Sequence, residues 1–114
     1  MNPLVGTIAA GCPAVIKPSE VSANAANVLA RLLPKYLDPN AYVVVTGAVP
    51  ETTYLLSLKW DFILFTGASA IGKIVASAAA KNTTPCALEL SGASPVVVAD
   101  DADVDLAAKR ILWG

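Results

Sequence analysis

The chain of 114 residues contains no histidine, and this absence removes several kinds of chemistry. Without an imidazole there is no Ser-His-Asp triad, and no histidine activates a cysteine nucleophile. Zinc sites built on histidine ligands are excluded for the same reason. The sequence therefore does not belong to the enzyme classes that depend on these groups.

Charge and cysteine are also scarce. Charged residues make up 15% of the chain against 55% hydrophobic residues, and the mean hydropathy is +0.60. Eight basic and nine acidic residues form no basic run, which excludes the electrostatic signature of nucleic-acid or anionic-membrane binding. Cys12 and Cys86 form neither a disulfide framework nor a CxxC pair, which favours a reducing, cytoplasmic compartment. The most apolar stretch, residues 4–16, is interrupted by Gly11 and Pro13 and is shorter than the roughly 20 residues of a membrane span.

Short β-branched runs alternate with helical patterns along the chain. The runs are continuous rather than alternating, as in strands that are covered on both faces. This order is typical of βαβ units and predicts an α/β fold around a mostly parallel sheet. The predicted strands are residues 14–16, 42–45, 62–65 and 95–98.

Helical periodicity predicts the segments between the strands. Residues 3–10 are predicted to end a helix with Gly11 just beyond it, and Pro34 is predicted to end or kink the next helix. Pro50 is predicted to open a third helix. The aspartates at 100, 101, 103 and 105 are predicted to cap and begin the last one. The predicted apolar stripes are Leu29, Leu32, Leu33 and Tyr36; Ile71, Ile74, Val75 and Ala78; and Val104, Ala107, Ala108 and Ile111.

A strand-to-helix turn at residues 67–73 is the first candidate site. Its glycines, Gly67 and Gly72, let backbone N–H groups and the positive end of a helix approach a phosphate. The spacing G-x-x-x-x-G-K fits a P-loop with Asp100 as its supporting acid, but Ile74 cannot supply the hydroxyl that a P-loop places on Mg²⁺. The Rossmann fingerprint G-x-G-x-x-G is also absent. From the residues alone, a phosphate site and a merely structural turn both stay open.

The second candidate site follows the first strand, at the sheet edge where open α/β folds bind ligands. Lys17 and Glu20 are a donor and an acceptor that can hold the vicinal hydroxyls of a ribose. The charge of Glu20 would repel a 2′-phosphate, which favours NAD over NADP. The alternative is that Pro18 stops the strand, Ser19 or Ser22 caps a helix, and the two charged residues are solvated.

Glu89 is the third candidate. Alternation in residues 86–90 places its carboxylate on the face opposite Cys86, and partial desolvation there would suit a general base. The alternative is an exposed glutamate on a half-buried strand. Cys12 is predicted to be a small packing residue rather than a nucleophile.

Four motifs together resemble the aldehyde dehydrogenase superfamily. They are residues 3–11, 17–20, 65–72 and 88–95, in the family's order and at about its spacing. The Lys-Pro-Ser-Glu motif and residues 51–56 are similar to the fatty-aldehyde, class 3-like branch. The resemblance implies an open, mostly parallel Rossmann-like sheet with helices on both faces, of which this chain holds an incomplete part. It also implies that residues 1–84 belong to the NAD(P)-binding domain and residues 85–114 begin the catalytic domain.

The resemblance implies oxidation of a small aldehyde to a carboxylic acid through a cysteine thioester. The implied cofactor is NAD, with NADP as the alternative, and the implied parent is a cytoplasmic homodimer whose membrane attachment stays open. Glu89 would activate the water that hydrolyses the thioester. The implied cofactor residues are Lys17, Ser19 and Glu20 at the adenosine ribose, Gly67, Ser69 and Gly72 at the pyrophosphate turn, and Ile71 against the adenine.

The chain also departs from the family pattern. Residues 91–93 read Ser-Gly-Ala where the family has Gly-Gly-Lys, and neither cysteine matches the nucleophile's position. The resemblance places the nucleophile beyond Gly114 and the oxyanion-hole asparagine before Met1. We therefore expect an internal fragment that is inactive alone, because covalent catalysis cannot begin. A P-loop nucleotide-binding protein and a non-catalytic truncated binding module stay as alternatives.

Overall fold

The structure is a computed structural model that describes residues 2–113, and helices alternate with short strands along it. Met1 and Gly114, the outer ends of the two predicted domains, lie outside the described residues. A 3-10 turn, Glu20–Ser22, precedes the second helix. The helices are α1 (Asn2–Ala9), α2 (Ala23–Tyr36), α3 (Val49–Ser57), α4 (Ser69–Lys81) and α5 (Val104–Trp113), and the strands are β1 (Ala14–Ile16), β2 (Tyr42–Val44), β3 (Ile63–Thr66) and β4 (Cys86–Glu89).

All the strand pairing is parallel, as predicted. β1 pairs with β2, with Ile16 opposite Val44, and β3 pairs with β4, with Thr66 opposite Glu89. Within the described residues these are two two-stranded sheets. α2 packs on β2, α4 packs on both β3 and β4, and α3 packs on α4. The α/β class is confirmed, and the molecule consists of a β1–β2 half and a β3–β4 half.

The predicted strand at residues 95–98 is wrong. Residues 90–99 have no regular structure, and the side chains of Val96 and Val97 are 62% and 93% exposed. A β-branched run becomes a strand only where a neighbour accepts its backbone hydrogen bonds. β4 has no second partner among the described residues, so this run stays unpaired.

The first helix ends as the sequence predicts. Gly11 N–H donates to the Ile8 carbonyl at 3.0 Å, and Cys12 N–H donates to the Thr7 carbonyl at 3.1 Å. Gly11 has φ +69°, the left-handed conformation that glycine adopts without a Cβ penalty. These bonds form a Schellman motif, which directs the chain from α1 into β1.

The other helix ends agree with the sequence in part. α2 continues two residues beyond Pro34 to Tyr36, so a helix end at the proline is wrong and the alternative, a kink, stays a prediction. Proline has a φ that a helix accepts. Because Pro34 lies close to the end of α2, its missing N–H removes a hydrogen bond only from the last turns of the helix. Asp103 is confirmed as a cap, because its Oδ1 accepts from Leu106 N–H at 3.0 Å at the start of α5.

The buried face of α4 differs from the predicted stripe. Gly72, Val75 and Ala79 are buried, whereas Ile71 and Ile74 are 48% and 58% exposed. Small residues let the helix axis come close to β3 and β4, and the isoleucines stay outside that contact. Val75, as predicted, and the small residues Gly72 and Ala79 therefore form the side of α4 that meets the strands.

Burial is shallow in both halves. The buried hydrophobic residues are Leu4, Ala26 and Leu33 in the first half and Val75 and Ala79 in the second. The accessible surface is 8642 Å², whereas a folded monomer of this mass exposes about 5,900 Å². The radius of gyration is 18.0 Å, against about 13 Å for a compact domain of this length. The low charge of the sequence thus coincides with an extensive apolar surface, which includes Leu106, Leu112 and Trp113 of α5.

Candidate functional site

The candidate site at Lys17 and Glu20 lies where β1 and β2 end. Val45 N–H donates to the Ile16 carbonyl at 2.9 Å, which continues the parallel ladder just past both strands. Lys17 follows Ile16 directly and therefore lies at the carboxyl edge, beside the loop from β2 to α3. This is the edge that the sequence predicts for it.

Lys17 and Glu20 are paired at this edge. Lys17 Nζ donates to Glu20 Oε2 at 2.9 Å, and their side chains are 19% and 50% exposed. The backbone N–H of Glu20 first, and then the hydrogen bond and charge of Lys17, lower the pKa of the Glu20 carboxyl. The predicted donor and acceptor are thus adjacent, and Glu20 is open to solvent. The contact with a ribose stays a prediction.

Ser19 has a local structural contact. Its Oγ accepts from Val21 N–H at 3.3 Å and caps the 3-10 turn. Ser22 makes no such capping bond at the start of α2. The capping alternative therefore holds for Ser19, whose contact with a cofactor stays a prediction.

Glu51 is predicted to lie in the first turn of a helix but not beside the Lys17 site. Its Oε2 accepts from Ala48 N–H at 2.8 Å at the start of α3. A Cβ on Gly47, which has φ +152°, would collide with the Glu51 side chain. The N–H groups of Glu51 and Ala48, and more weakly the charge of Lys17, lower the pKa of Glu51. Lys17 thus acts on two carboxylates, Glu20 and Glu51.

A sequence signal for Glu51 was available. Glutamate three residues after an N-cap is half of a capping box, and here Ala48 is the N-cap and Glu51 is N3. Pro50 is the second helical residue rather than the predicted first, because α3 begins at Val49. Because the N-cap residue Ala48 has no hydroxyl, residues 48–51 do not match the Ser/Thr-x-x-Glu pattern of a capping box.

The candidate site at residues 67–73 is the turn between β3 and α4. Ala68 is the N-cap of α4, and no side chain caps the helix. Ile71 N–H and Gly72 N–H both donate to the Ala68 carbonyl at 3.0 Å. The amides at the very start of a helix have no acceptor within it. The exposed Ser69 therefore stands beside donors that suit an anion, where the sequence predicts a pyrophosphate.

The two glycines of this turn make room for other side chains. A Cβ on Gly67 would lie 2.7 Å from Phe65 Cζ, and one on Gly72 would lie 2.6 Å from Leu90 Cδ2. Among the described glycines, those with positive φ are Gly11 and Gly47, so neither Gly67 nor Gly72 is needed for a left-handed backbone. The absence of a side chain at both positions is explained by packing, and their contact with a phosphate stays a prediction.

Glu89 is joined to this turn through the backbone. It ends β4 opposite Thr66, and Gly67 N–H donates to the Glu89 carbonyl at 3.0 Å. The structure thus brings the predicted general base and the predicted phosphate turn together. The Glu89 side chain is exposed, so the expected partial desolvation is wrong and the alternative of an exposed glutamate holds in the described chain.

The remaining candidates are separate from these two sites. Cys12 is exposed, which contradicts its predicted packing role, and Cys86 is half-buried; both thiols are free. The part of the chain that the structure describes holds no group of three or more metal-ligating side chains. None of its helices is long and apolar enough to cross a membrane.

The P-loop alternative gains no support from the geometry. The strand that would precede its supporting Asp100 is absent at residues 96–99. Ile74, at the hydroxyl position, is 58% exposed. Lys73 lines an open groove of about 590 Å³ between α3 and α4, together with Thr53 and Ser77. A P-loop lysine must instead reach the phosphates that the glycine turn holds.

Comparison with known proteins gives a match over the full chain. The profile described as "Aldehyde dehydrogenase family" matches residues 1–114. Aldehyde dehydrogenase family 3 member A2 of Mus musculus is 56% identical over 100% of this chain and 24% of its own length. The aldehyde dehydrogenase of Rattus norvegicus named "dimeric NADP-preferring" is 54% identical over 100% of this chain and 25% of its own length.

Solved structures give the same result. The substrate-bound AldH of Staphylococcus aureus matches with a TM-score of 0.81 and 44% identity, over 97% of this chain and 24% of that one. The aldehyde dehydrogenase of Mycobacterium tuberculosis complexed with NAD⁺ matches with a TM-score of 0.70 and 35% identity, over 85% of this chain and 20% of that one. The parallel α/β arrangement is thus the one found in solved dehydrogenases.

The chain belongs to the aldehyde dehydrogenase family. The similarity to a family 3 member confirms the predicted resemblance to the class 3-like branch. The chain spans about a quarter of the length of the curated relatives it matches.

Proposed function

We propose that the chain forms much of the cofactor-binding domain and the beginning of the catalytic domain of an NAD(P)-dependent aldehyde dehydrogenase. Residues 1–84 belong to the first domain and residues 85–114 to the second. The carrying observation is the hydrogen bond from Gly67 N–H to the Glu89 carbonyl, 3.0 Å long. This bond spans the proposed boundary and joins the cofactor turn to the general base.

Lys17 and Glu20 hold the adenosine ribose in this proposal. Lysine has three N–H donors, and the bond to Glu20 uses one of them. Glu20 accepts from a hydroxyl, and its open carboxylate fits a diol. Its negative charge favours NAD, and NADP stays the alternative because the Rattus norvegicus relative is named NADP-preferring.

The turn before α4 holds the pyrophosphate. The uncapped start of the helix offers amide donors and its positive dipole end, and the exposed Ser69 adds a hydroxyl. Ile71, 48% exposed in the first turn, offers an apolar contact for the adenine. A bound nicotinamide would accept a hydride from the substrate. These residues hold the cofactor in place for that step.

Glu89 takes a proton from the water that releases the carboxylic acid product. Its exposure gives water access to the carboxylate. Neither Cys86, which precedes Glu89 on the same strand, nor the exposed Cys12 of the α1–β1 turn matches the family's nucleophile. The 114 residues alone are therefore inactive in this proposal.

The substrate of the parent enzyme is an aldehyde. The parent assembly is a homodimer, by analogy with the relative named dimeric. A cytoplasmic location stays a prediction from the two free cysteines.

A chimera tests this proposal. The matching segment of the Mus musculus relative is replaced by these 114 residues, and NADH formation is followed with an aliphatic aldehyde. We expect turnover by the chimera, and Glu89→Gln lowers kcat by about a hundredfold or more while NAD binding remains. Asp105→Asn on the exposed face of α5 is the matched control and leaves kcat unchanged.

Two results would contradict the proposal. One is a folded chimera that binds no cofactor. The other is aldehyde oxidation by the isolated chain that Glu89→Gln abolishes, because the chain would then hold its own nucleophile.

A further inference from the structure

Gly72 lies in the first turn of α4 and is buried against Leu90. A Cβ at this position would lie 2.6 Å from Leu90 Cδ2 and 3.5 Å from Leu90 Cδ1. The Leu90 side chain therefore occupies the space that a side chain at position 72 would fill. Glycine is a poorer helix former than alanine, so its presence in this helix has a packing reason.

Leu90 is the first residue after β4, and the chain has no regular structure from there to residue 99. Its side chain, 39% exposed, lies against Gly72 at the point where the chain leaves the strand. Glu89, one residue earlier, is held by Gly67 N–H on its carbonyl at 3.0 Å. α4 and the turn before it thus hold two successive residues of the segment that carries the proposed general base.

We propose that Gly72 is a positioning residue for Glu89: its missing side chain makes room for Leu90, and this contact sets where the Glu89 carboxylate lies relative to the Gly67 turn. The catalytic part of this inference rests on the proposed function, in which Glu89 is the base. It gives Gly72 a role other than direct contact with the cofactor.

Amide hydrogen exchange of the chain itself tests the contact. We expect Gly72→Ala to displace Leu90, weaken the hydrogen bond from Gly67 N–H to Glu89, and speed exchange of the Gly67 amide by about tenfold. In a Leu90→Ala background, Gly72→Ala adds no further acceleration, because the obstacle is gone. Gly6→Ala in α1 is the matched control, since a Cβ there has no neighbour within 4 Å.

Two exchange results would overturn the proposal. One is equal acceleration by Gly72→Ala with and without the Leu90 side chain, which would place the strain elsewhere. The other is a Gly67 amide that already exchanges freely in the unchanged chain.

Kinetics of the chimera test the consequence for Glu89. We expect Gly72→Ala to lower kcat about fivefold or more and to shift the acid limb of the pH profile of kcat, while KM for NAD stays within about twofold. The proposal would be overturned if Gly72→Ala raised KM for NAD, left kcat unchanged, and did so equally in a Leu90→Ala background. Gly72 would then be a cofactor contact. An unchanged chimera without turnover would overturn the proposed function and the catalytic part of this inference, and the exchange rates would still decide whether Gly72 accommodates Leu90.

Discussion

The two halves of the molecule offer a ligand different kinds of group. At the end of β1, side chains are decisive: Lys17 donates to Glu20 at 2.9 Å, and the charge of Lys17 also acts on Glu51. At the end of β3, backbone groups are decisive: Gly67 N–H bonds to the Glu89 carbonyl, and α4 begins without a side-chain cap. Loss of a charge should therefore disrupt the first half, and added volume should disrupt the second.

The largest effect is expected from Lys17→Met. It removes the donor to Glu20 and to a ribose hydroxyl, while the apolar stem keeps its length. We expect the Kd for NAD to rise about ten- to a hundredfold, since a hydrogen bond to a charged group contributes about 1.5–3 kcal/mol. Isothermal titration calorimetry measures this change. Lys109→Met on the exposed surface of α5 is the control, and an equal loss in both variants would remove the distinction between the halves.

A smaller effect is expected from Gly67→Ala in the second half. The new methyl group would lie 2.7 Å from Phe65 Cζ, so the ring or the turn must shift. We expect the free energy of unfolding to fall by about 1–2 kcal/mol, as for overpacking. Urea denaturation measures it, and Gly6→Ala in open space should cause no loss. Equal free energies of unfolding for the two variants would contradict this, because a methyl group at position 67 would then fit without overpacking.

The smallest effect is expected from pH, and it belongs to the first half. The pKa values of Glu20 and Glu51 are lowered below 4.5 in the folded chain, so the unfolded chain takes up protons first as the pH falls. The stability that both carboxylates contribute is complete above about pH 4.5 and is lost as the pH falls through their folded pKa values. We expect Glu20→Gln and Glu51→Gln each to lose less stability than the unchanged chain as the pH falls. Urea midpoints between about pH 5 and pH 3 measure this difference. Identical slopes in all three chains would contradict this.

Local features of the chain could be predicted from the sequence. The end of α1 at Gly11 and the position of Lys17 at the carboxyl edge of β1 depend on residues a few positions apart. The parallel order of strands followed from their alternation with helices. In each case the physical cause lies within one turn or one βα unit.

Features that depend on distant neighbours could not be predicted. The run at residues 95–98 has no partner strand within the described chain, and the Glu89 side chain is exposed. The effect of the Lys17 charge on the pKa of Glu51 and the contact of Leu90 with Gly72 join residues from different segments. Composition and periodicity describe one segment at a time, so they do not contain these contacts.

The most direct measurement is a calorimetric titration of the unchanged chain with NAD and, on the same sample, with MgATP. If the two halves together form a dehydrogenase cofactor site, NAD gives a saturable heat of binding and MgATP gives none. Binding of MgATP alone would instead support the P-loop class. Binding of neither would leave a module without a cofactor site and would contradict the proposed function.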